Sequence, residues 1–135
     1  MNCPACDKPM IVLELDRVEV DHCISCGGIW LDGGEMELLL EGAAEKETFL
    51  SSFRRDPDCA EKPRRCPICS KRMEKILVGK EERVCIDRCR HRDGIWLDRG
   101  ELEEILEMNR FGTDRRVLDL LREMFAGETQ KGGRR

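Results

Sequence analysis

Residues 23–32 read CISCGGIWLD, and residues 89–98 read CRHRDGIWLD. A shorter cysteine pair precedes each stretch, CPAC at residues 3–6 and CPIC at residues 66–69. Two Cys-x-x-Cys pairs at this separation have the ligand spacing of a tetrahedral zinc site. Because the whole pattern recurs, the sequence indicates a module that is carried twice.

The size of each repeat supports a metal core. The chain has 135 residues and only 4% of them are aromatic. A repeat of roughly forty residues is below the size at which an apolar core usually stabilises a fold alone. A structural zinc ion contributes about 10–16 kcal/mol of apparent binding energy in finger peptides. We therefore expect metal binding to decide whether these repeats fold.

The first repeat offers four thiolates to one ion. The predicted ligands are Cys3, Cys6, Cys23 and Cys26. Four sulfurs fill a tetrahedral coordination sphere, and a site with no open position is typical of structural rather than hydrolytic zinc. Gly27 and Gly28, directly after the second pair, allow the positive φ angles that such a turn often needs.

The second repeat departs from this pattern at its last ligand. Its aligned cysteines are Cys66, Cys69 and Cys89. Arg92 stands where the first repeat has Cys26, and an arginine does not bind zinc. His91, one residue earlier, is the first choice for the fourth ligand, since imidazole is an ordinary zinc ligand. Cys85 is the alternative, and loss of the ion from this repeat is a third possibility.

The apolar pattern predicts a small, metal-stabilised α+β fold. It consists of two tandem zinc ribbons, each a β-hairpin with cysteine turns followed by an α-helix, plus a C-terminal helix. Hairpin strands are expected at 10–15 with 17–21 and at 73–78 with 83–87, and the first helix at about 33–51 with a possible break at Gly42. The expected division is 1–51 for ribbon 1 with its helix, 52–65 for a linker, 66–112 for ribbon 2 with its helix, 113–126 for an amphipathic helix and 127–135 for a disordered tail.

Several side chains outside the cysteine pairs have predicted structural roles. Asp32-x-x-Glu35 and Asp98-x-x-Glu101 have the pattern of a capping box, in which the aspartate caps the helix and the glutamate reaches back. Trp30 and Trp96 are expected to pack the helices onto the ribbons. His22 is interpreted as an exposed histidine at a strand end, and Cys59 as a loop thiol.

The motif resembles a known family. The order Cys-Pro-x-Cys, hairpin, Cys-x-x-Cys-Gly-Gly-Ile-Trp-Leu-Asp-x-Gly-Glu is similar to that of the transcription-factor-IIB-type zinc ribbon family of small bacterial proteins. The likeness covers about two thirds of the chain, with Arg92 as the departure. It implies zinc binding and a ribbon fold. It does not imply transcription, because ribbons serve many purposes.

Composition indicates the cellular compartment and the kinds of partner that the chain could bind. No apolar leader follows Met1 and no segment has the length and hydropathy of a membrane span, so the cysteine pairs predict metal ligands in a reducing cytoplasm. The net charge is −4, and 39% of the residues are charged. This balance counts against strong non-specific binding to nucleic acid.

Three functions are compatible with these residues. The leading hypothesis is a zinc-binding, non-enzymatic protein-interaction module, which binds a protein partner or self-associates through the C-terminal helix and has no small-molecule substrate. The first alternative is binding to nucleic acid or to the transcription machinery, supported by the basic residues of the second repeat. The second alternative is a thiol redox sensor that uses the zinc cysteines.

Overall fold

Both repeats contribute to one antiparallel sheet. The computed structural model describes residues 1–15, 17–40, 46–57, 59, 64–79 and 84–108. Within this part of the chain, seven strands pair in the order β1-β2-β3-β7-β6-β5-β4. The strands are β1 (Ile11–Leu15), β2 (Val18–His22), β3 (Ile29–Asp32), β4 (Arg54–Arg55), β5 (Glu74–Val78), β6 (Val84–Arg88) and β7 (Gly94–Leu97). The helices are α1 (Glu35–Leu39), α2 (Lys46–Ser51) and α3 (Glu101–Met108).

The expected hairpins are present. β1 pairs with β2 so that Leu15 lies opposite Val18, and β5 pairs with β6 so that Val78 lies opposite Val84. In β2 the side chains alternate between buried and more exposed positions, as expected for a strand with one face on a core. The described protein is thus small and mostly β, with short helices and tandem ribbons.

The centre of the sheet is the seam between the repeats. β3 pairs with β7, and Trp30 lies directly opposite Trp96. These two strands were not predicted: the apolar triplet after each metal turn is short, and periodicity alone does not assign so short a run. Their pairing makes the two ribbons halves of one sheet.

The first helix is shorter than predicted. α1 begins at Glu35 and ends at Leu39, with Leu40 as its C-cap, so a single helix over 33–51 was wrong. A second helix, α2, begins at Lys46. Gly42, the position of the possible break, lies outside the described residues. The predicted end of the second-repeat helix near Gly112, the C-terminal helix at 113–126 and the tail at 127–135 also lie outside them.

Half of each predicted capping box is confirmed. The Glu35 carboxylate accepts the Asp32 backbone N–H at 2.7 Å, and Glu101 accepts that of Asp98 at 2.8 Å. The aspartate half was wrong for α1, whose N-cap is Gly34 at φ 94° with no side-chain cap. The Asp32 side chain instead accepts a hydrogen bond from the indole N–H of Trp30. A buried N–H needs an acceptor more than an exposed helix end does, because water can satisfy the helix end.

Two apolar clusters hold the sheet together. The larger cluster combines residues from both repeats, among them Leu15, Val20, Leu31, Met36, Leu40, Ile76, Ile86, Leu97, Leu102 and Ile105. The smaller cluster contains Trp30, Trp96 and Met73 together with the metal-turn cysteines of both repeats. None of the helices in the described residues is long and apolar enough to cross a membrane.

Candidate metal centres

The first cysteine pair lies on a tight turn that two backbone hydrogen bonds close. The Cys3 N–H donates to the Lys8 carbonyl, and the Asp7 N–H donates to the Cys3 carbonyl, both at 2.8 Å. Asp7 completes the turn in the left-handed region, at φ 65°. The turn therefore places both thiols on the same side of the chain.

The second pair repeats this geometry after β2. The Gly27 N–H donates to the Cys23 carbonyl at 2.8 Å, and Gly27 takes the left-handed place at φ 83°. The predicted positive φ is thus found at Gly27. Gly28 serves a different need, which is close approach of a ring from the other repeat.

The four sulfurs of the first repeat meet at zinc-like separations. Cys3 Sγ lies 3.5 Å from Cys26 Sγ, and Cys6 Sγ lies 3.4 Å from Cys23 Sγ. All four ligand atoms lie within 4.8 Å of one another. Zn–S bonds of about 2.3 Å in a tetrahedron give S–S edges of about 3.8 Å. The donor set and its spacing therefore fit one zinc ion.

Burial opposes ionisation of the Cys3 and Cys66 thiols. It raises the pKa of Cys3 above its usual range and that of Cys66 to about 12. A thiol in this environment keeps its proton until a cation replaces it, because a buried thiolate has little solvation. Zinc supplies that positive charge, and binding then releases protons.

Cys6 and Cys69 have the opposite tendency. The backbone N–H of Lys8 is the main cause that lowers the pKa of Cys6, to about 7, with the Cys23 thiol next. In the second repeat the backbone N–H of Lys71 lowers the pKa of Cys69, and His91 adds to it. Each metal group thus contains one thiol whose pKa is lowered.

The second repeat gathers three sulfurs and a carboxylate. Its four ligand residues are Cys66, Cys69, Cys89 and Asp93, with ligand atoms all within 4.8 Å of one another. Asp93 Oδ2 lies 3.5 Å from Cys66 Sγ and 3.4 Å from Cys89 Sγ, and the sulfurs of Cys69 and Cys89 are 3.8 Å apart. Tetrahedral zinc with one oxygen ligand has S–O edges of about 3.5 Å. This group also fits a zinc ion, so the chain carries two four-residue metal-binding groups.

A shift in the turn explains why Asp93 enters the group. In the other metal turns the left-handed residue comes four positions after the first cysteine, as Gly27 does after Cys23. After Cys89 it comes three positions on, at Arg92 with φ 65°. The ligand position moves with it, from the residue before the left-handed one to the residue after it.

The two predicted fourth ligands have different places. His91 lies beside the second group, with Nδ1 at 3.6 Å from Cys69 Sγ, and its role as a ligand stays a prediction. Cys85 lies away from this group, next to Cys59, where the two sulfurs are 2.9 Å apart. Asp93 was missed, although a carboxylate is a zinc ligand and it stands in the same turn as His91.

The tryptophans connect the two centres. Trp30 and Trp96 are fully buried, and each indole N–H donates to the aspartate two residues on, Asp32 or Asp98, at 2.8 and 2.9 Å. Each ring lies against a glycine of the other repeat: a Cβ on Gly94 would be 2.5 Å from Trp30 Cζ2, and one on Gly28 would overlap Trp96. Burial of the rings was predicted, but their partner is the opposite repeat rather than the helix.

His22 is buried rather than exposed. It is 3% exposed, and Nδ1 lies 3.2 Å from the Gly28 carbonyl oxygen, to which it donates. Its position at the end of β2 places it beneath the second metal turn rather than at the surface. This buried hydrogen bond fixes the turn that carries Cys23 and Cys26.

Comparison with known proteins supports the assignment. The family model described as a transcription factor zinc-finger, of the transcription-factor-IIB zinc ribbon type, matches residues 2–42 and 65–108, which is more than half of the chain. The two matched segments are the two repeats, and each contains one of the four-residue groups. Neither the curated proteins nor the solved structures gave a match.

Proposed function

We propose that this chain, which belongs to the transcription-factor-IIB-type zinc ribbon family, is a non-enzymatic protein-interaction module that two zinc ions stabilise. The observation that carries the proposal is the ligand count: each metal group supplies four protein ligands. A tetrahedral ion held by four side chains has no position left for water or substrate. The zinc ions would then stabilise the fold, and the surface of the folded protein would bind the partner.

The edge strand β1 is the surface that we propose for binding a protein partner. β1 stands at one end of the strand order, and its first two residues, Ile11 and Val12, are 41% and 63% exposed. An edge strand with exposed apolar side chains can add a strand from another protein, because its outward N–H and C=O groups are available for pairing. A second copy of the chain could supply that strand, and residues 113–126 remain the proposed element for self-association.

The test places a photoreactive amino acid at position 12 of the full-length, zinc-loaded chain in cells. We expect cross-links to protein from position 12 and none from position 37, since Glu37 is also exposed but lies on α1, away from the edge. Sedimentation over a range of concentrations then shows whether the partner is a second copy. A chain that stays monomeric and gives no cross-link at position 12 would reject the proposal.

A second candidate, nucleic-acid binding, has one specific observation in its favour. Three arginines, Arg55, Arg88 and Arg90, lie within 3.9 Å of a single carboxylate, that of Glu74. The three guanidinium groups outnumber the carboxylate, so this cluster taken by itself is positively charged. Phosphate groups are attracted to such a cluster, and the attraction weakens as salt rises.

Titration of fluorescently labelled DNA and RNA at two salt concentrations tests this candidate. The expected result is binding at low salt that falls at moderate salt and is weakened by Arg90→Glu. A matched control is Arg17→Glu, which makes the same charge change on the first repeat. No binding at low salt would reject the nucleic-acid function and leave the protein-interaction proposal intact.

A further inference from the structure

A pair of thiols lies outside both metal groups. Cys85 is on β6, opposite Leu77 of β5, and Cys59 belongs to the segment that follows β4. The two sulfurs are 2.9 Å apart, although the residues are 26 positions apart in sequence. Both residues are half-buried, so small molecules in solution can reach them.

The backbone explains how the two residues meet. β4 pairs with β5, and the Asp56 N–H then donates to the Lys75 carbonyl at 2.9 Å. The Cys59 N–H donates to the Asp56 carbonyl at 3.2 Å, which turns the chain after the strand. The turn brings Cys59 to the side chain of Cys85, so the contact is a product of sheet pairing.

The distance distinguishes this pair from the zinc thiolates. Sulfurs on one tetrahedral zinc ion are about 3.8 Å apart, whereas a disulfide requires about 2.05 Å. The separation of 2.9 Å is well below the zinc spacing and within about 0.9 Å of a bond. Asp56 Oδ lies near enough to make a three-ligand group with them, but a structural zinc site needs four, and no fourth ligand joins them among the described residues.

We propose that Cys59 and Cys85 are a redox-active dithiol, which a peroxide converts to a disulfide while both zinc groups stay intact. One thiol loses its proton, and the thiolate attacks a peroxide oxygen; the O–O bond breaks, a sulfenic acid forms, and the departing hydroxide or alkoxide takes up the released proton to become water or an alcohol. The second thiolate attacks the sulfenic sulfur and expels hydroxide, which takes up a proton to become water. The two thiols lose two electrons in total, and the peroxide gains them.

The disulfide would tie the segment between the repeats to the second ribbon. Cys59 follows β4, which ends the sheet on one side, and the bond would connect it past β5 to β6. Arg55 of the arginine cluster lies on β4, so oxidation would also hold that part of the surface in place. This inference goes beyond the proposed function and does not depend on it.

The test exposes the zinc-loaded, full-length chain to hydrogen peroxide, blocks the remaining thiols with N-ethylmaleimide and identifies cross-linked peptides by mass spectrometry without reduction. We expect a peptide pair joined through Cys59 and Cys85 that is two hydrogens lighter than the reduced pair. We also expect two zinc ions per chain before and after oxidation. A thiol reductant should reverse the bond.

Three variants make the result specific. Cys59→Ser and Cys85→Ser should each abolish the cross-link and keep two zinc ions, and the zinc count also shows that each variant has folded. Asp56→Asn should keep the cross-link, because a dithiol needs no carboxylate. The proposal is overturned if zinc is released before the disulfide forms, if both thiols stay open to the maleimide, or if the chain holds a third zinc ion that Asp56→Asn removes.

Discussion

Trp30 and Trp96 lie directly opposite one another on β3 and β7, and each indole ring covers a glycine of the other repeat. The missing side chains of Gly28 and Gly94 provide the space that the rings occupy. The rings also belong to the apolar cluster that contains the metal-turn cysteines. Packing at the seam and the positions of the ligand turns are therefore connected.

The first prediction tests this close approach. Gly28→Ala should lower the free energy of unfolding by about 1–3 kcal/mol, the usual cost of an extra methyl group in a packed core. A Cβ at this position would overlap the Trp96 ring, so Trp96→Phe should recover part of the loss when the two changes are combined. Chemical denaturation of the four proteins of this double-mutant cycle measures the coupling.

Gly34→Ala is the matched control for that cycle. A methyl group added at Gly34 would meet no other atom within 4 Å, so its substitution carries only the strain of φ 94°. Its effect should be additive with Trp96→Phe. If the effects of Gly28→Ala and Trp96→Phe were also additive, the Trp96 ring would not restrict position 28.

The second prediction concerns the fourth ligand of the second metal group. Asp93→Ala should reduce the zinc content of the purified chain from two ions to one, or weaken the second ion enough for a chromophoric chelator to remove it. His91→Gln should keep both ions, because His91 lies beside the group. Elemental mass spectrometry and chelator competition provide the measurement.

Cobalt substitution adds an independent readout for the same ligand. Replacement of a carboxylate ligand changes the absorption bands of tetrahedral Co²⁺, and replacement of a residue outside the coordination sphere leaves them in place. A changed spectrum and a lost ion for His91→Gln, with none for Asp93→Ala, would assign the ligand to the histidine instead.

The third prediction concerns a buried ion pair in the second ribbon. Lys75 Nζ lies 2.9 Å from Asp87 Oδ1, with side-chain exposures of 5% and 1%, and Asp87 Oδ2 accepts the Arg64 backbone N–H. Asp87→Asn should lower the free energy of unfolding by about 3–5 kcal/mol, because it removes the carboxylate charge that faces the buried lysine. The amide oxygen can still accept from Arg64, so the loss reports mainly on the charge.

Combination with Lys75→Met should recover much of that stability, since both charges are then gone. Denaturation midpoints of the single and double variants measure the recovery. The pair between Glu74 and Arg55, whose side chain is 68% exposed, serves as a comparison, and Arg55→Gln should change stability by less than about 1 kcal/mol. A double variant as unstable as Asp87→Asn alone would contradict the explanation.

The fourth prediction is a pH dependence at Asp21. Burial raises the pKa of this carboxyl above its usual range, and the negative charge of Asp32 raises it further. The folded state therefore holds its proton more tightly than the unfolded state. Between the unfolded pKa and the raised folded pKa, stability falls as the pH rises.

Asp21→Asn removes the fall in stability that ionisation of Asp21 causes, because an amide does not ionise. The variant should be at least as stable as the wild type at neutral pH. Its advantage should grow through that pH window and stay constant above the folded pKa. Thermal unfolding of both zinc-loaded proteins over a pH series measures the difference, and an advantage that shrinks with rising pH would reverse the sign of the argument.

Local patterns predicted the parts of the molecule that depend on local geometry. The spacing of Cys3, Cys6, Cys23 and Cys26 identified a group that the structure brings together. The hairpins followed from strand-like runs bounded by turns, and the back-reaching glutamates followed from the capping-box spacing. Each of these features is set by residues a few positions apart or by one hairpin.

Features that depend on pairing between the repeats could not be found this way. The contact between β3 and β7 joins residues far apart in sequence, and the short run at residues 29–31 does not distinguish a strand from a helix start. The meeting of Cys59 with Cys85 follows from the position of β4 beside β5. Asp93 entered the second group because the left-handed residue of its turn shifted by one position, which residue counting does not reveal.

The central position of β3 has a consequence for synthesis on the ribosome. β3 of the first repeat needs β7, at Gly94–Leu97, as its partner, so one side of the strand waits unpaired while the intervening residues are made. At about 5–20 residues per second that interval is on the order of several seconds. Zinc binding by the first repeat during synthesis would stabilise its folded ribbon until β7 leaves the ribosome and pairs with β3.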